Sequence, residues 1–185
     1  MLKTNRLTLH QVKITDRKFI VDYLSDEDQA KYLPLDRAYT NIEAQKWFDF
    51  RLKHWSRHNF GTFMIYLKSQ SSAIGYCGIE HVRNTQFIDI RYGITKQFWG
   101  HGYAHESALA IIKYSFSYLH IEKLYGAAVP QNNPSIKLLE KLGMERDNSF
   151  YEYGEEVSHY SLSAERYNKV VTDQEILYGS AEVQR

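Results

Sequence analysis

The sequence predicts an α/β protein of the mixed α+β type, with a single mixed and mostly antiparallel sheet flanked by helices. Three observations predict it. Apolar spacing switches along the chain between a period of two and a helical period, in the order β-α-α-β-β-β-α-β-α-β-β. Three strands follow one another across short polar turns, as in an antiparallel meander, and the last two do so as a hairpin, while helices between these groups call for crossovers. The 185 residues suit one domain, and no internal repeat or low-complexity tract divides them. Residues 1–163 read as that domain and 164–185 as a tail with at most a helical turn before it frays.

The elements come in the following order. Residues 6–12 alternate, placing Leu7, Leu9 and Gln11 on one face of a first strand. Thr15-Asp16 caps a helix whose apolar positions are Phe19, Ile20, Tyr23 and Leu24. After a loop around Pro34, Thr40 and Glu43 have the spacing of a capping box, and the helix they open carries Trp47, Phe48, Leu52 and Trp55 as an apolar stripe. Arg51, Lys53 and Arg57 on this helix form a basic, solvated face, and His54 and His58 lie one turn apart on it. Strands follow at 62–67, 73–82 and 87–94, rich in β-branched and aromatic residues and separated by Ser69-Gln70-Ser71-Ser72 and Asn84-Thr85. Ala104, Ala108, Ile111, Phe116 and Leu119 mark a long helix, and 124–129 is a further strand. Asn133 as N-cap and Pro134 at the first helical position open a short helix over 135–142, closed by Gly143. Strands at 144–153 and 157–162 turn at Gly154.

Composition narrows the function classes. Lys and Arg total 23 against 22 Asp and Glu, a net charge of +1, so no overall field gathers nucleic acid or an anionic membrane. No run of apolar residues is long enough to span a bilayer, and the opening residues lack a secretory pattern, so a cytoplasmic protein is expected. The single Cys77 forms no internal disulfide and fits a reducing compartment. His54 and His58 lack the glutamate of a zinc-protease motif, and no metal is expected.

The most informative stretch is Gln97-Phe98-Trp99-Gly100-His101-Gly102, between a strand and the long helix. Glycines let successive N–H groups converge, and the helix adds its N-terminal donors and partial positive charge, which makes an anion cradle. The stretch lacks the Lys-Ser/Thr of a nucleotide-triphosphate loop and the third glycine of a dinucleotide fingerprint. A tight turn that needs glycine for shape alone remains the other reading of these residues.

Gln97, Gly100 and Gly102 meet the Gln/Arg-x-x-Gly-x-Gly/Ala motif, and with 130–135 and 139–144 the chain resembles the GNAT acetyltransferases over most of its length. The opening Asn5-Arg6-Leu7-Thr8-Leu9 resembles the branch that acetylates ribosomal-protein N-termini. The resemblance implies the GNAT-type acyl-CoA N-acyltransferase fold and acetyl-CoA as co-substrate, its pyrophosphate on the backbone of Gln97, Trp99, Gly100, His101, Gly102, Tyr103 and Ala104. It implies a pantetheine arm paired with the strand ending at Ile94, whose amide serves as oxyanion hole, with Asn132 contacting the arm and Ser135 near the sulfur.

Transfer to an amine then requires a base, because an alkyl amine is protonated at neutral pH. Asp89 falls where many members carry a Glu, five residues before Ile94, and its shorter side chain calls for a bridging water; a surface carboxylate is the alternative. The family's usual general-acid Tyr is replaced by Leu139, leaving Ser135 or water to protonate the thiolate, with Glu80, Tyr92 and Tyr125 as secondary candidates. Cys77, next to Gly78 in a strand, reads as a packed thiol rather than an acyl carrier. The reaction expected is direct transfer in a ternary complex of a monomer or homodimer, to a protein N-terminus or a small amine. The helical segment with Trp47 and Trp55 is expected to help form the acceptor site. A non-catalytic CoA-binding module and a protein-interaction domain are the alternatives.

Overall fold

The computed structural model describes residues 1–169. Among them, eight strands form one sheet in the order β1-β2-β3-β4-β5-β6-β8-β7. These are β1 (Leu2–Lys3), β2 (Leu7–Gln11), β3 (Thr62–Leu67), β4 (Ala73–His81), β5 (Ile88–Ile94), β6 (Lys123–Ala128), β7 (Glu145–Arg146) and β8 (Ser158–Ser163). Neighbours pair antiparallel except β5 and β6, which are parallel. The expected mixed, mostly antiparallel sheet and its β3-β4-β5 meander are therefore present.

Helices cover both faces: α1 (Arg17–Leu24), α2 (Glu27–Ala30) and α3 (Asn41–His58) on one, α4 (Tyr103–Ser117) and α5 (Asn133–Lys141) on the other. Each face has its own apolar core. Ile20, Leu24, Phe48, Met64 and Tyr76 pack under α1 and α3. Ile65, Cys77, Ile79, Ile111, Leu124 and Leu139 pack under α4 and α5. A smaller cluster of Val82, Tyr125 and Phe150 lies beneath the 147–157 loop.

Several expectations need correction. β1 and α2, too short for a periodicity to register, were not expected. Residues Ile14–Asp16 form a 3-10 turn, and Asp16 makes no side-chain cap on α1; its carboxylate instead accepts the Lys13 N–H at 2.7 Å. Gln11, at the end of β2, is exposed although Leu7 and Leu9 are buried. The N-cap of α5 is Asn132, which accepts the Ser135 N–H at 3.2 Å, so the helix begins one residue earlier than read. The strand expected over 144–153 shrinks to Glu145–Arg146, because Phe150 turns in to fill the small core and Gly154, at φ +93°, bends the chain back. Residues 164–169 are helical, and the remainder of the expected tail lies outside the described residues.

The largest correction concerns α3. Its capping box is present, with the Thr40 side chain accepting the Glu43 N–H and the Glu43 carboxylate accepting the Thr40 N–H. Its buried residues are Ala44, Phe48, Arg51 and His54, so Arg51 and His54 belong to the sheet-facing stripe and not to a solvated face. Helical spacing puts 44, 48 and 51 on one side. Arg51 is tolerated there because a carboxylate of the sheet waits opposite it.

Candidate active site

The phase of the β4–β5 ladder determines what its free edge presents. At its two ends Thr95 N–H donates to Ile74 O (2.8 Å) and Val82 N–H donates to Phe87 O (2.9 Å). Bonded and non-bonded pairs alternate in an antiparallel ladder, so Gly93 and Arg91 bond to β4 while Tyr92 and Ile94 turn their amides and carbonyls to the other side. That side is open. β5 and β6 pair at one register only, Asp89 with Tyr125, and diverge beyond it. The Ile94 carbonyl is taken by the Trp99 indole N–H at 2.5 Å, which leaves the Tyr92 and Ile94 amides facing the gap.

The glycine loop closes one end of this gap. Residues Lys96–Phe98, including Gln97, form a 3-10 turn in which Phe98 and Trp99 donate to Thr95 O and Lys96 O. The expected cradle is thereby narrowed, since those two amides are already used inside the turn. Gly100 and Gly102 adopt φ +77° and +79°, the left-handed region where a Cβ is strained. Among the described residues the amides of Gly100, His101, Gly102, Tyr103 and Ala104 have no protein acceptor, and the first helical bond of α4 is Glu106 N–H to Gly102 O. The His101 ring contacts its own loop, Nδ1 lying 2.8 Å from Trp99 O, and stacks on Tyr103.

A brace behind this loop was not legible in the sequence. Arg6 Nε donates to Glu106 at 2.7 Å, its guanidinium donates to His101 O at 3.0 Å, and it lies 4.6 Å above the Tyr103 ring. Glu106 also accepts the Thr4 hydroxyl (2.5 Å) and the Arg6 N–H (2.8 Å). Burial would raise the Glu106 carboxyl, but these donors hold it below the usual range. One hundred residues separate the partners, so no local signal reveals the brace.

On the α5 side of the gap, Tyr92 and Ser135 bring their hydroxyls within 2.6 Å. Burial pushes the Tyr92 phenol well above its ordinary value. Leu139 is part of the core, in keeping with the absence of an acid at that position.

The opposite face of β4 and β5 holds a chain of buried charges. Glu80 pairs with Asp89 across the ladder. Glu80 is 0% exposed; it accepts the Thr62 hydroxyl at 2.6 Å and faces Arg51 Nε at 3.2 Å and Arg91 at 3.7 Å. Arg51, 4% exposed, lies 3.3 Å from the Trp47 ring centroid and donates to Trp47 O at 3.1 Å. Arg91 Nε lies 3.0 and 3.2 Å from the two Asp89 oxygens. Asp89 is 4% exposed, which excludes the surface-carboxylate reading.

The two carboxylates are driven apart. Burial raises Asp89, and Arg91 only partly offsets it, so its carboxyl titrates above the ordinary aspartate range. Burial acts upward on Glu80 as well, but Arg51, then Arg91 and the Thr62 hydroxyl, bring it below the ordinary glutamate value. Neighbouring groups split in this way are suited to different roles, a permanent counter-ion and a proton acceptor.

Other sequence candidates resolve into structural roles. Cys77 is fully buried, and burial pushes its thiol up to about 12, far from a nucleophile's range. His54 Nδ1 lies 2.9 Å from Phe60 O while Nε2 accepts the His81 N–H at 3.0 Å, so the ring is a neutral tautomer with both nitrogens used. Trp55 donates to Thr62 O at 2.6 Å and anchors the start of β3. Among the described residues no cluster of three or more His, Cys, Asp or Glu side chains could hold a metal ion, and no helix is long and apolar enough to cross a membrane. A surface groove of about 450 Å³ beside α1 shares no residue with the gap.

A family model described as an acetyltransferase (GNAT) domain matches residues 6–145. An N-acetyltransferase of Bacillus licheniformis called p20, itself described as uncharacterized, is 27% identical over 154 residues, covering 82% of this chain and 86% of that protein. The crystal structure of an acetyltransferase from Agrobacterium tumefaciens superposes with a TM-score of 0.80 at 25% identity, covering 87% of this chain and 92% of that one. Spermidine N-acetyltransferase from Vibrio cholerae, in complex with CoA and spermine, shares the fold at a TM-score of 0.72 and 18% identity, covering 88% and 98% of the two chains. Ribosomal-protein-S5-alanine acetyltransferase from Vibrio fischeri does so at 0.69 and 17%, covering 89% and 97%.

Proposed function

Since this chain belongs to the GNAT acetyltransferase family and is thereby an N-acetyltransferase, we propose that it moves the acetyl group of acetyl-CoA directly to a primary amine in a ternary complex. The observation that carries this reading is the adjacency of two sets of unused donors. The amides of Gly100, His101, Gly102, Tyr103 and Ala104 suit a diphosphate, and the Tyr92 and Ile94 amides line the gap where β5 and β6 stop pairing, donors that suit a pantetheine arm lying as an added strand. Acetyl-CoA, once bound, supplies an activated thioester. Asn132 and Ser135 at the start of α5 flank that gap from the other face.

Strand length supports one resting place for the thioester carbonyl over another. Asp89 stands three residues from Tyr92 and five from Ile94, or ~10 and ~16 Å at 3.3 Å per residue. A path from base through one bridging group to amine, carbonyl and amide uses four contacts of about 3 Å each and spans at most ~12 Å, enough to reach Tyr92 but not Ile94. The Tyr92 amide is therefore our oxyanion donor, and the Ile94 amide holds the arm. Asp89 is the base, Glu80 its fixed neighbour, and the Ser135–Tyr92 hydroxyl pair protonates the departing thiolate. A direct route is favoured over an acyl-enzyme because Cys77 is sealed in the core.

The acceptor is a protein N-terminus or a small amine, reached from the α3 side where Trp47 stacks on Arg51. Near-neutral charge and a buried free cysteine support a cytoplasmic monomer or homodimer that acts without nucleic acid or membrane. The test is release of free thiol from acetyl-CoA over a panel of polyamines, amino acids and peptides with free N-termini, alongside calorimetry with CoA. Heat with CoA and turnover with at least one amine are expected. Heat without any turnover would support the non-catalytic CoA-binding alternative, and no heat would leave a protein-interaction domain.

A further inference from the structure

We propose that the Tyr153 hydroxyl is a catalytic proton relay, standing between the acceptor amine and Asp89 in the place where a water would otherwise be needed. The proposal rests on the reading of Asp89 as base. The Asp89 carboxylate is buried, and both its oxygens are engaged: Arg91 Nε reaches both, and the Tyr153 hydroxyl donates to Oδ2. An amine in the gap has no direct approach to it. Tyr153 itself is only partly buried, and its oxygen accepts from Arg91 Nη2 at 2.9 Å. A phenol oxygen has one proton and two lone pairs. The proton is committed to Asp89 and one pair to Arg91, which leaves the other pair for an incoming N–H.

The loop is built to hold that oxygen in place. Phe150, fully buried, packs against both Tyr125 and Phe87, with ring centroids at 4.7 and 5.3 Å, and those two rings also meet each other at 4.8 Å. Gly154 N–H bonds Tyr151 O at 3.0 Å and closes the turn that carries Tyr153. From the neighbouring elements, Asp89 and Arg91 of β5 touch the hydroxyl, with Glu80 of β4 and Arg51 of α3 behind them. His159 of β8 stacks 6.3 Å from the ring, and burial lowers that imidazole, keeping it neutral at pH 7.

The steps balance. An ammonium proton moves to Tyr153 Oη as the phenolic proton moves to Asp89 Oδ2, so Tyr153 ends neutral. The amine nitrogen then forms a bond to the thioester carbon, and the carbonyl π pair moves to oxygen. Collapse breaks the C–S bond with its pair on sulfur, and the second nitrogen-bound proton travels to that sulfur through Ser135 and Tyr92. Asp89 returns its proton to solvent by the same relay.

The test compares Y153F, D89N and a chain carrying fluorotyrosine at 153, all assayed by thiol release with acetyl-CoA. Two acceptors are used, the best primary amine of the panel and hydroxylamine, which is already neutral at pH 7. For Y153F we expect a loss of about a hundredfold in kcat with the alkyl amine, a loss under about fivefold with hydroxylamine, and acetyl-CoA affinity within about twofold of wild type. Fluorotyrosine, a more acidic phenol of the same shape, is expected to keep the activity and shift the pH profile with the alkyl amine while leaving the rate with hydroxylamine within about twofold of wild type. Y153F within about twofold of wild type on both acceptors, with D89N inactive, overturns the relay and leaves the base intact. D89N as active as wild type overturns the base and the relay together. If Y153F proves unfolded by thermal melting, an unshifted fluorotyrosine profile overturns the relay by itself.

Discussion

Replacing Arg51 with Met keeps most of the side-chain volume and deletes one buried charge, so it isolates what that charge does for Glu80. In the wild type Glu80 has the Thr62 hydroxyl at 2.6 Å, Arg51 at 3.2 Å and Arg91 at 3.7 Å. In R51M only the hydroxyl and the more distant guanidinium remain around a carboxylate with no solvent contact. Breaking a buried pair by removing one partner costs about 3–5 kcal/mol. At about 2–4 °C per kcal/mol for a chain of this size, the melting temperature falls by ~6–20 °C. The sign of the pH dependence follows from the same contacts. Glu80 lies below its unfolded value in the wild type, so its contribution is present above that value and is lost as pH falls through the folded one. Without Arg51 the desolvated carboxyl moves above its unfolded value, and the folded state binds a proton that the unfolded chain releases. The deficit should therefore be largest where the variant's carboxyl is still ionised, begin to shrink as pH falls through that raised folded value, and shrink further below the ordinary glutamate value of 4.5, where the wild type loses its own contribution. Urea unfolding at pH 7 and pH 4 measures both, and the double variant R51M/E80Q should recover part of the loss, because neither charge is then left alone. R51M within about 1 kcal/mol of wild type at pH 7, or a deficit that grows on acidification, would refute the buried-charge reasoning.

Three further outcomes are expected. G100A places a Cβ in open space but at φ +77°, so about 1 kcal/mol of strain should appear mainly as an acetyl-CoA affinity reduced several-fold by calorimetry; unchanged affinity would mean that this loop shape does not hold the ligand. C77A should turn over at the wild-type rate, and quenched wild-type enzyme should show no acetylated cysteine by mass spectrometry; a dead C77A with intact CoA binding would restore the acyl-enzyme route. Y92F removes the hydroxyl 2.6 Å from Ser135 and should lower kcat by about tenfold without changing the KM for acetyl-CoA, whereas an unaltered kcat assigns thiolate protonation to water.

The meander, the glycine loop and the α3 capping box were legible because each depends on residues close in sequence. Alternation, φ > 0 at Gly100 and Gly102, and the Thr40–Glu43 exchange are local requirements that local composition announces. The same holds for Cys77, whose place in an apolar strand already argued for a packed thiol. Arg51 was partly legible: it sits three residues after Phe48, on the apolar stripe, but its cationic identity pulled the reading toward solvent. Only its distant partner Glu80 makes burial tolerable, and a helix pattern carries no information about a carboxylate on another strand.

What the chain determined alone was therefore the identity and order of its elements and the donor-rich loop that ties it to acyl-CoA chemistry. Tertiary structure decided which distant side chains meet around the loop and the buried carboxylates. Arg6 with Glu106, Arg51 with Glu80, and Tyr153 with Asp89 join residues far apart in sequence, and the last two pairs owe their chemistry to desolvation that exists only after the sheet, α3 and the 147–157 loop have closed over them. Charge and hydrogen-bonding strength depend on the surrounding dielectric, and that is a property of the packed chain rather than of any segment.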